Sequence, residues 1–372
     1  MAVALTSLLA LVVAVQVAAV PDIPQCWAEV DVVAQVVSTP VSNTQAVIAA
    51  DMDGDGDIDL ASAGGNWIAW HENTDANGTF ALPQVVSTAV DGARALIATD
   101  IDGDGDLDLV SASYNDNKVA WYENLYGNAT FGQQQVVTTA AGTVQSVVAA
   151  DFDGDGDIDL ASASYLDDTI AWYENTDRAG SFGPPQVLSA LTNDAYSVIA
   201  ADIDGDGDPD LVSPLFGQDK IAWYENIDGA GIFGPQQVVS TAANGVRSVT
   251  AADMDGDGDL DLVSASELDD KIACTVARAA RSVIAADVDG DGDMDLAWAS
   301  SFANKIAWHE NKDGAGDFGS EQVVSTVADG AVSVFAADID GDGDLDLAST
   351  VGGKVAWYAN ADGNTTWDRS EW

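Results

Sequence analysis

The string Asp-x-Asp-Gly-Asp-Gly-Asp-x-Asp occurs seven times, starting at Asp51, Asp100, Asp151, Asp202, Asp253, Asp287 and Asp338. Each copy places carboxylates at positions 1, 3, 5, 7 and 9. The first three sets are Asp51, Asp53, Asp55, Asp57 and Asp59; Asp100, Asp102, Asp104, Asp106 and Asp108; and Asp151, Asp153, Asp155, Asp157 and Asp159. The next two are Asp202, Asp204, Asp206, Asp208 and Asp210; and Asp253, Asp255, Asp257, Asp259 and Asp261. The last two are Asp287, Asp289, Asp291, Asp293 and Asp295; and Asp338, Asp340, Asp342, Asp344 and Asp346.

Such a loop has the chemistry of a calcium site, which needs about six to eight oxygens on a backbone that turns sharply. In the third copy, Asp151, Asp153, Asp155 and Asp159 offer side chains, Asp157 offers its backbone carbonyl, and Gly156 permits the turn. The start of the loop matches an EF-hand, but position 12 carries no Glu and strand-type sequence flanks it, so the EF-hand reading fails. Magnesium, which prefers rigid and water-rich sites, fits less well. The bland alternative is a solvated acidic turn. Repulsion among five carboxylates in nine residues, repeated seven times, argues against it unless a cation is present. Seven Ca²⁺ would cancel fourteen charges and reduce the formal −50 to about −36.

That charge, from 62 acidic residues against 12 Lys and Arg, excludes nucleic acid and direct membrane-surface binding as expected activities. Met1 to Val20 is almost entirely apolar, and Val17-Ala18-Ala19 places small residues at a cleavage position. The expected organisation is a signal peptide over 1–19, a lead-in over 20–33, repeats over 34–360 and a tail over 361–372. An uncleaved anchor is the rival reading, so the chain is expected to be extracellular, either free or tethered to a cell surface. Two cysteines, Cys26 and Cys274, do not make a disulfide scaffold.

The elements that position the loops are short runs rich in Val, Ile, Trp and Tyr, bounded by Gly, Asp and Asn, with no helical period. Four such runs accompany each loop, at intervals of 49, 51, 51, 51, 34 and 51 residues. This is the arithmetic of propeller blades. The last repeat ends near Asn360 without a Gln-Val-Val-Ser-Thr run, and that run precedes the first loop as Gln35-Val36-Val37-Ser38-Thr39. The fold class is therefore all-β: a seven-bladed β-propeller with an N-terminal strand closing the last blade. Closure covers the edges a solenoid would leave open.

The loops, the Phe131-Gly132, Phe182-Gly183, Phe233-Gly234 and Phe318-Gly319 pairs and the blade length resemble FG-GAP/VCBS repeats. Those are the calcium-bearing blades of integrin-α-like propellers. The resemblance covers roughly 34–360 and implies fold and metal, not a particular ligand.

The fifth repeat is short. Where the fourth reads Trp223 through Ser240, the fifth has Cys274 alone, which predicts loss of most of the third strand and all of the fourth. A false intron explains this: excision from the GT of a Trp-Tyr codon pair to the AG of a Ser codon leaves a Cys codon. A transcript that truly encodes Cys274 without those residues would defeat this explanation.

Trp70, Trp121, Trp172, Trp223, Trp308 and Trp357 recur at one strand position and read as inter-blade core rather than as sugar platforms. His71 and His309 stand where other repeats have Tyr, and no catalytic constellation is evident. The sequons at Asn77, Asn128 and Asn364 fall in the turn between third and fourth strands, on the metal-loop face. The opposite face carries the variable second-to-third-strand turns, and a variable face on a rigid frame suits binding. The expected function is a calcium-dependent adhesion or recognition module for an extracellular protein or polysaccharide. The alternatives are a calcium-dependent polysaccharide lyase or sugar dehydratase, and an acidic structural matrix protein.

Overall fold

The computed structural model describes residues 35–37, 43–189, 194–268, 271–272, 275–276, 280–361, 363 and 367. All lie in the compact unit Asp31–Trp372. The expected signal peptide and lead-in, Cys274, the Asn364 sequon and most of the tail lie outside the described residues.

The described strands form seven antiparallel sheets of four strands each. The third is typical: Val144–Ala150 leads into the acidic loop, Asp159–Ser164 leaves it, and Thr169–Tyr173 and Gln186–Ser189 complete the sheet. Asp159–Ser164 is buried at every position. Its side chains alternate between two seams: Leu160 packs with the second sheet, while Ala161 and Ala163 pack with the fourth. Small residues on one side and larger ones on the other let successive sheets stack face to face, and the result is an all-β propeller.

The chain ends meet as expected. Gln35–Val36 joins the seventh sheet outside Lys354–Tyr358, with Gln35 opposite Trp357 and Val36 opposite Ala356. The indoles seal the seams. A Cβ on Gly78 of the first sheet would collide with the Trp357 ring of the seventh, and Gly180 and Gly231 lie in the same way against Trp121 and Trp172. The recurring Trp is thus a core residue, buried in five of its six instances; Trp223, beside the shortened repeat, is the half-buried exception.

The fifth repeat corrects one expectation. It retains a fourth strand, Thr275–Val276, paired with an equally short third strand, Lys271–Ile272. Two residues suffice for pairing but not for cover, so Asp261 is exposed where Asp159 is fully buried. A Cβ on Gly316 would meet nothing within 4 Å, because the fifth sheet supplies no indole to face it.

A different indole occupies that seam. Trp298 stands where the other sheets carry Ser62, Ser111, Ser162, Ser213, Ser264 and Ser349. It is fully buried with Met254 and Val263 of the fifth sheet. Trp298→Ser is expected to cost about 3–5 kcal/mol in urea unfolding, the usual range for emptying a large aromatic site. A loss below about 1 kcal/mol would show that Trp298 does not hold the seam.

Candidate metal centres

Each loop is organised by its own carboxylates. In the third loop the Gly154 and Gly156 N–H groups donate to the two oxygens of Asp151. The Asp155 N–H donates to Asp153 and the Asp157 N–H to Asp155. The positive φ of Gly154 and Gly156, 73° and 89°, is what winds the chain round this centre.

Carboxylate oxygens of Asp51, Asp53 and Asp59 come within 4.8 Å of one another, as do those of Asp100, Asp102 and Asp108, of Asp151, Asp153 and Asp159, and of Asp253, Asp255 and Asp261. In the fourth loop the converging set is Asp202, Asp204 and Asp206. Positions 1, 3 and 9 therefore converge most often. Position 7 turns elsewhere: a Cβ on Gly127, Gly229, Gly314 or Gly363 would strike the side chain of Asp106, Asp208, Asp293 or Asp344. This agrees with position 7 offering its carbonyl rather than its carboxylate. In the third sheet Arg178 replaces that glycine, and its guanidinium pairs with Asp157.

Burial pushes Asp59, Asp108, Asp159, Asp295 and Asp346 up to about 7, against the opposing pull of two backbone N–H donors on each. Asp53, Asp102, Asp153, Asp289 and Asp340 are also raised, by burial first and then by the carboxylate at position 5. Clustered anions short of positive charge are the environment a divalent cation relieves. Three buried oxygens, Asp287 Oδ1, Asp338 Oδ1 and Asp340 Oδ1, have no hydrogen-bond partner. Unpartnered, buried, hard anionic oxygens fit calcium chemistry.

The position 9 aspartate is held by a residue that sequence reasoning passed over. The backbone N–H groups of Asn73, Asn124, Asn175, Asn226, Asn311 and Asn360 donate to Asp59, Asp108, Asp159, Asp210, Asp295 and Asp346 at 2.7–2.8 Å. The Nδ2 of each Asn also crosses the seam to the position 2 carbonyl of the preceding loop. Asn124 reaches Met52, Asn175 reaches Ile101, Asn226 reaches Phe152, Asn311 reaches Met254 and Asn360 reaches Val288, each at 2.9 Å. Asn73 closes the ring onto Ile339 at 2.8 Å. The signal was present: each Asn follows the recurrent Trp by three residues.

The histidines behave as repeat variants. His71 Nε2 lies 2.9 Å from Ser62 Oγ, as Tyr173 Oη lies 3.0 Å from Ser162 Oγ, and burial lowers His71 to about 4. His309 is likewise buried. Asn77 and Asn128 are exposed on the turns beside the metal loops.

A propeller whose sheets are stitched to one another at acidic loops is the class that this fold and site define. Residues 51–111, 100–162, 151–213, 215–264 and 287–349 match the FG-GAP-like repeat, and the chain belongs to that family. No curated protein sequence matches it. Among solved structures it is similar to BBS1N, crystallised in complex with ARL6DN, at 14% identity, covering 88% of this chain and 96% of that one with a TM-score of 0.59. It also matches an Agrocybe aegerita lectin specific for non-reducing terminal N-acetylglucosamine, at 20% identity, 88% and 79% coverage and a TM-score of 0.45. The V. cholerae biofilm matrix protein Bap1 matches at 19% identity and a TM-score of 0.40; 82% of this chain is covered, but only 45% of that one. At 14% identity the likeness to BBS1N shows the fold alone.

Proposed function

We propose that the chain is a secreted, seven-bladed propeller with a calcium ion in each acidic loop, and that it serves as an extracellular recognition module for a protein or polysaccharide. The ions neutralise the loops and stiffen the frame, and the variable turns on the opposite face make the contact. The observation that carries this reading is the composition of that face. Leu166, Leu268 and Phe302, in corresponding turns of three sheets, are 65%, 60% and 76% exposed. Large apolar side chains presented in register on a rigid scaffold mark an interaction surface rather than a solvated one.

Residues 35, 53 and 59, to take the first sheet and its closure, are held by pairing, turn geometry and burial; none of these roles needs a reacting substrate. The test exposes the protein, with and without the eighteen residues absent from the fifth repeat, to an array of extracellular polysaccharides and matrix proteins. Calcium and EDTA arms are run side by side, and bound material is analysed by mass. Calcium-dependent capture of an unaltered ligand is expected. Shortened or unsaturated sugar products would overturn the binding reading in favour of a lyase.

A further inference from the structure

The first strands of the sheets share an irregularity. Pairing skips Gln45, Arg94, Gln145, Arg247 and Arg281, each a β-bulge at the second residue of its strand. Bulges re-aim side chains, and they concentrate near functional sites. Here they contribute to one cavity of about 120 Å³ that these five residues line with Tyr196 and Val332, one residue from each repeat. The cavity opens on the variable face: Arg94 lies 5.1 Å from the Tyr114 ring centre and Arg247 4.8 Å from that of Phe216, both rings belonging to second-to-third-strand turns.

The charge of this mouth opposes that of the molecule. The chain has a formal charge of −50, yet three of its six arginines line the cavity. Glu267 answers two of them, pairing with Arg247 and, at 3.6 Å, with Arg281. Arg94 donates to the Gln45 amide oxygen at 2.9 Å rather than to a carboxylate. Acids of the neighbouring turns are engaged elsewhere: Asp194 bonds to Tyr165, Asp116 pairs with Lys118, and Asp167 accepts from the Gly142 N–H. The Nε of Arg281 is buried without a hydrogen-bond partner. Burial, and then the neighbouring Arg247, push the Arg281 guanidinium below its usual value. Folding does not demand arginine here, because the corresponding position is Gln in two sheets, Tyr in another and Val in another.

We propose that this axial mouth binds the carboxylate of an acidic sugar, such as a terminal uronate. The proposal rests on the reading of this face as the recognition surface and names what it recognises. Guanidinium forks match a carboxylate. The amides of Gln45 and Gln145 suit hydroxyl groups, and Tyr196, tilted against Tyr165 and Phe216 at 5.2 and 5.1 Å, holds the Arg247 guanidinium 4.3 Å from its ring centre and so fixes that fork in the mouth. The cavity, at about 120 Å³, is small and open to solvent, and the acidic bulk of the protein repels an extended polyanion.

The test is calorimetric titration of the calcium-loaded protein with glucuronate, glucose, sulfate and glutamate, repeated on Arg94→Gln and Arg281→Gln. Both variants install the residue already present at Gln45 and Gln145, so they are expected to melt as the parent does. Glucuronate is expected to bind, glucose not to bind, and each variant to weaken glucuronate at least tenfold. Sulfate binding as tightly as glucuronate would overturn the sugar assignment, and tighter glutamate binding would reassign the mouth to an acidic peptide. Glucuronate binding that both variants retain would place the site elsewhere. If array capture persists while no anion binds, the axial site fails and the recognition reading stands. If glucuronate binds but nothing is captured, the recognition reading fails and the site stands.

Discussion

EGTA is expected to lower the melting temperature by on the order of 20 °C, and excess calcium, but not magnesium, to restore it. A site at a hundredfold excess of ligand over its dissociation constant contributes about 2.7 kcal/mol. Several such sites in a chain of this length correspond to a shift of that size. The physical source is visible in the loops. Asp59, Asp108, Asp159, Asp295 and Asp346 are buried far enough to be raised to about 7, and for Asp59, Asp108 and Asp159 the carboxylates at positions 1 and 3 converge on the same point. Without a cation the cluster must protonate, separate or bear its own repulsion. A melting curve unchanged by EGTA would refute the calcium sites and leave the loops as solvated turns.

The second large effect concerns Asn175. Its side chain donates to the Ile101 carbonyl across the seam at 2.9 Å and to the Ile158 carbonyl within its own sheet at 3.2 Å, and the residue is fully buried. Asn175→Ala strands both carbonyls, each at about 1–3 kcal/mol for a buried group left without its partner. Chemical denaturation should show a loss of roughly 2–5 kcal/mol. Asn73→Ala, which removes the link to Ile339, should cost a similar amount although it lies at the junction of the chain's two ends. A change below about 1 kcal/mol in both variants would mean that water or rearrangement satisfies these carbonyls.

The repeat spacing carried most of the fold. Strand type follows from Val-, Ile- and Trp-rich runs between Gly and Asp, and closure follows from Gln35-Val36 standing ahead of the first loop. The convergence of loop carboxylates was legible in part, because alternate Asp and Gly in a fixed string admit few chemistries, while which positions meet was not. What stayed hidden depended on contacts between sheets. Asn175 reads locally as a turn residue, and only the stacking of sheets gives it Ile101 to bind. Arg94 and Arg281 read as isolated surface charges about 190 residues apart, and only the ring brings them to one mouth. Trp298 reads as an exception to a Ser position until the shortened fifth sheet leaves it a space. The stub Thr275–Val276 escaped because two residues are too few to show a period.

The cross-seam asparagines also decide how such a molecule gives way. A hoop fastened at every joint spreads a load evenly, and none of its joints must open first. This hoop has six fasteners of one kind, and the Ile203 carbonyl of the fourth loop faces a fifth repeat that ends its third strand before reaching an Asn. With the fifth repeat as short as it stands here, the joint between the fourth and fifth sheets is the one without such a fastener among the described residues, and restoring the missing residues would supply it. In the short form, local opening is expected to begin at that joint rather than at the joined ends.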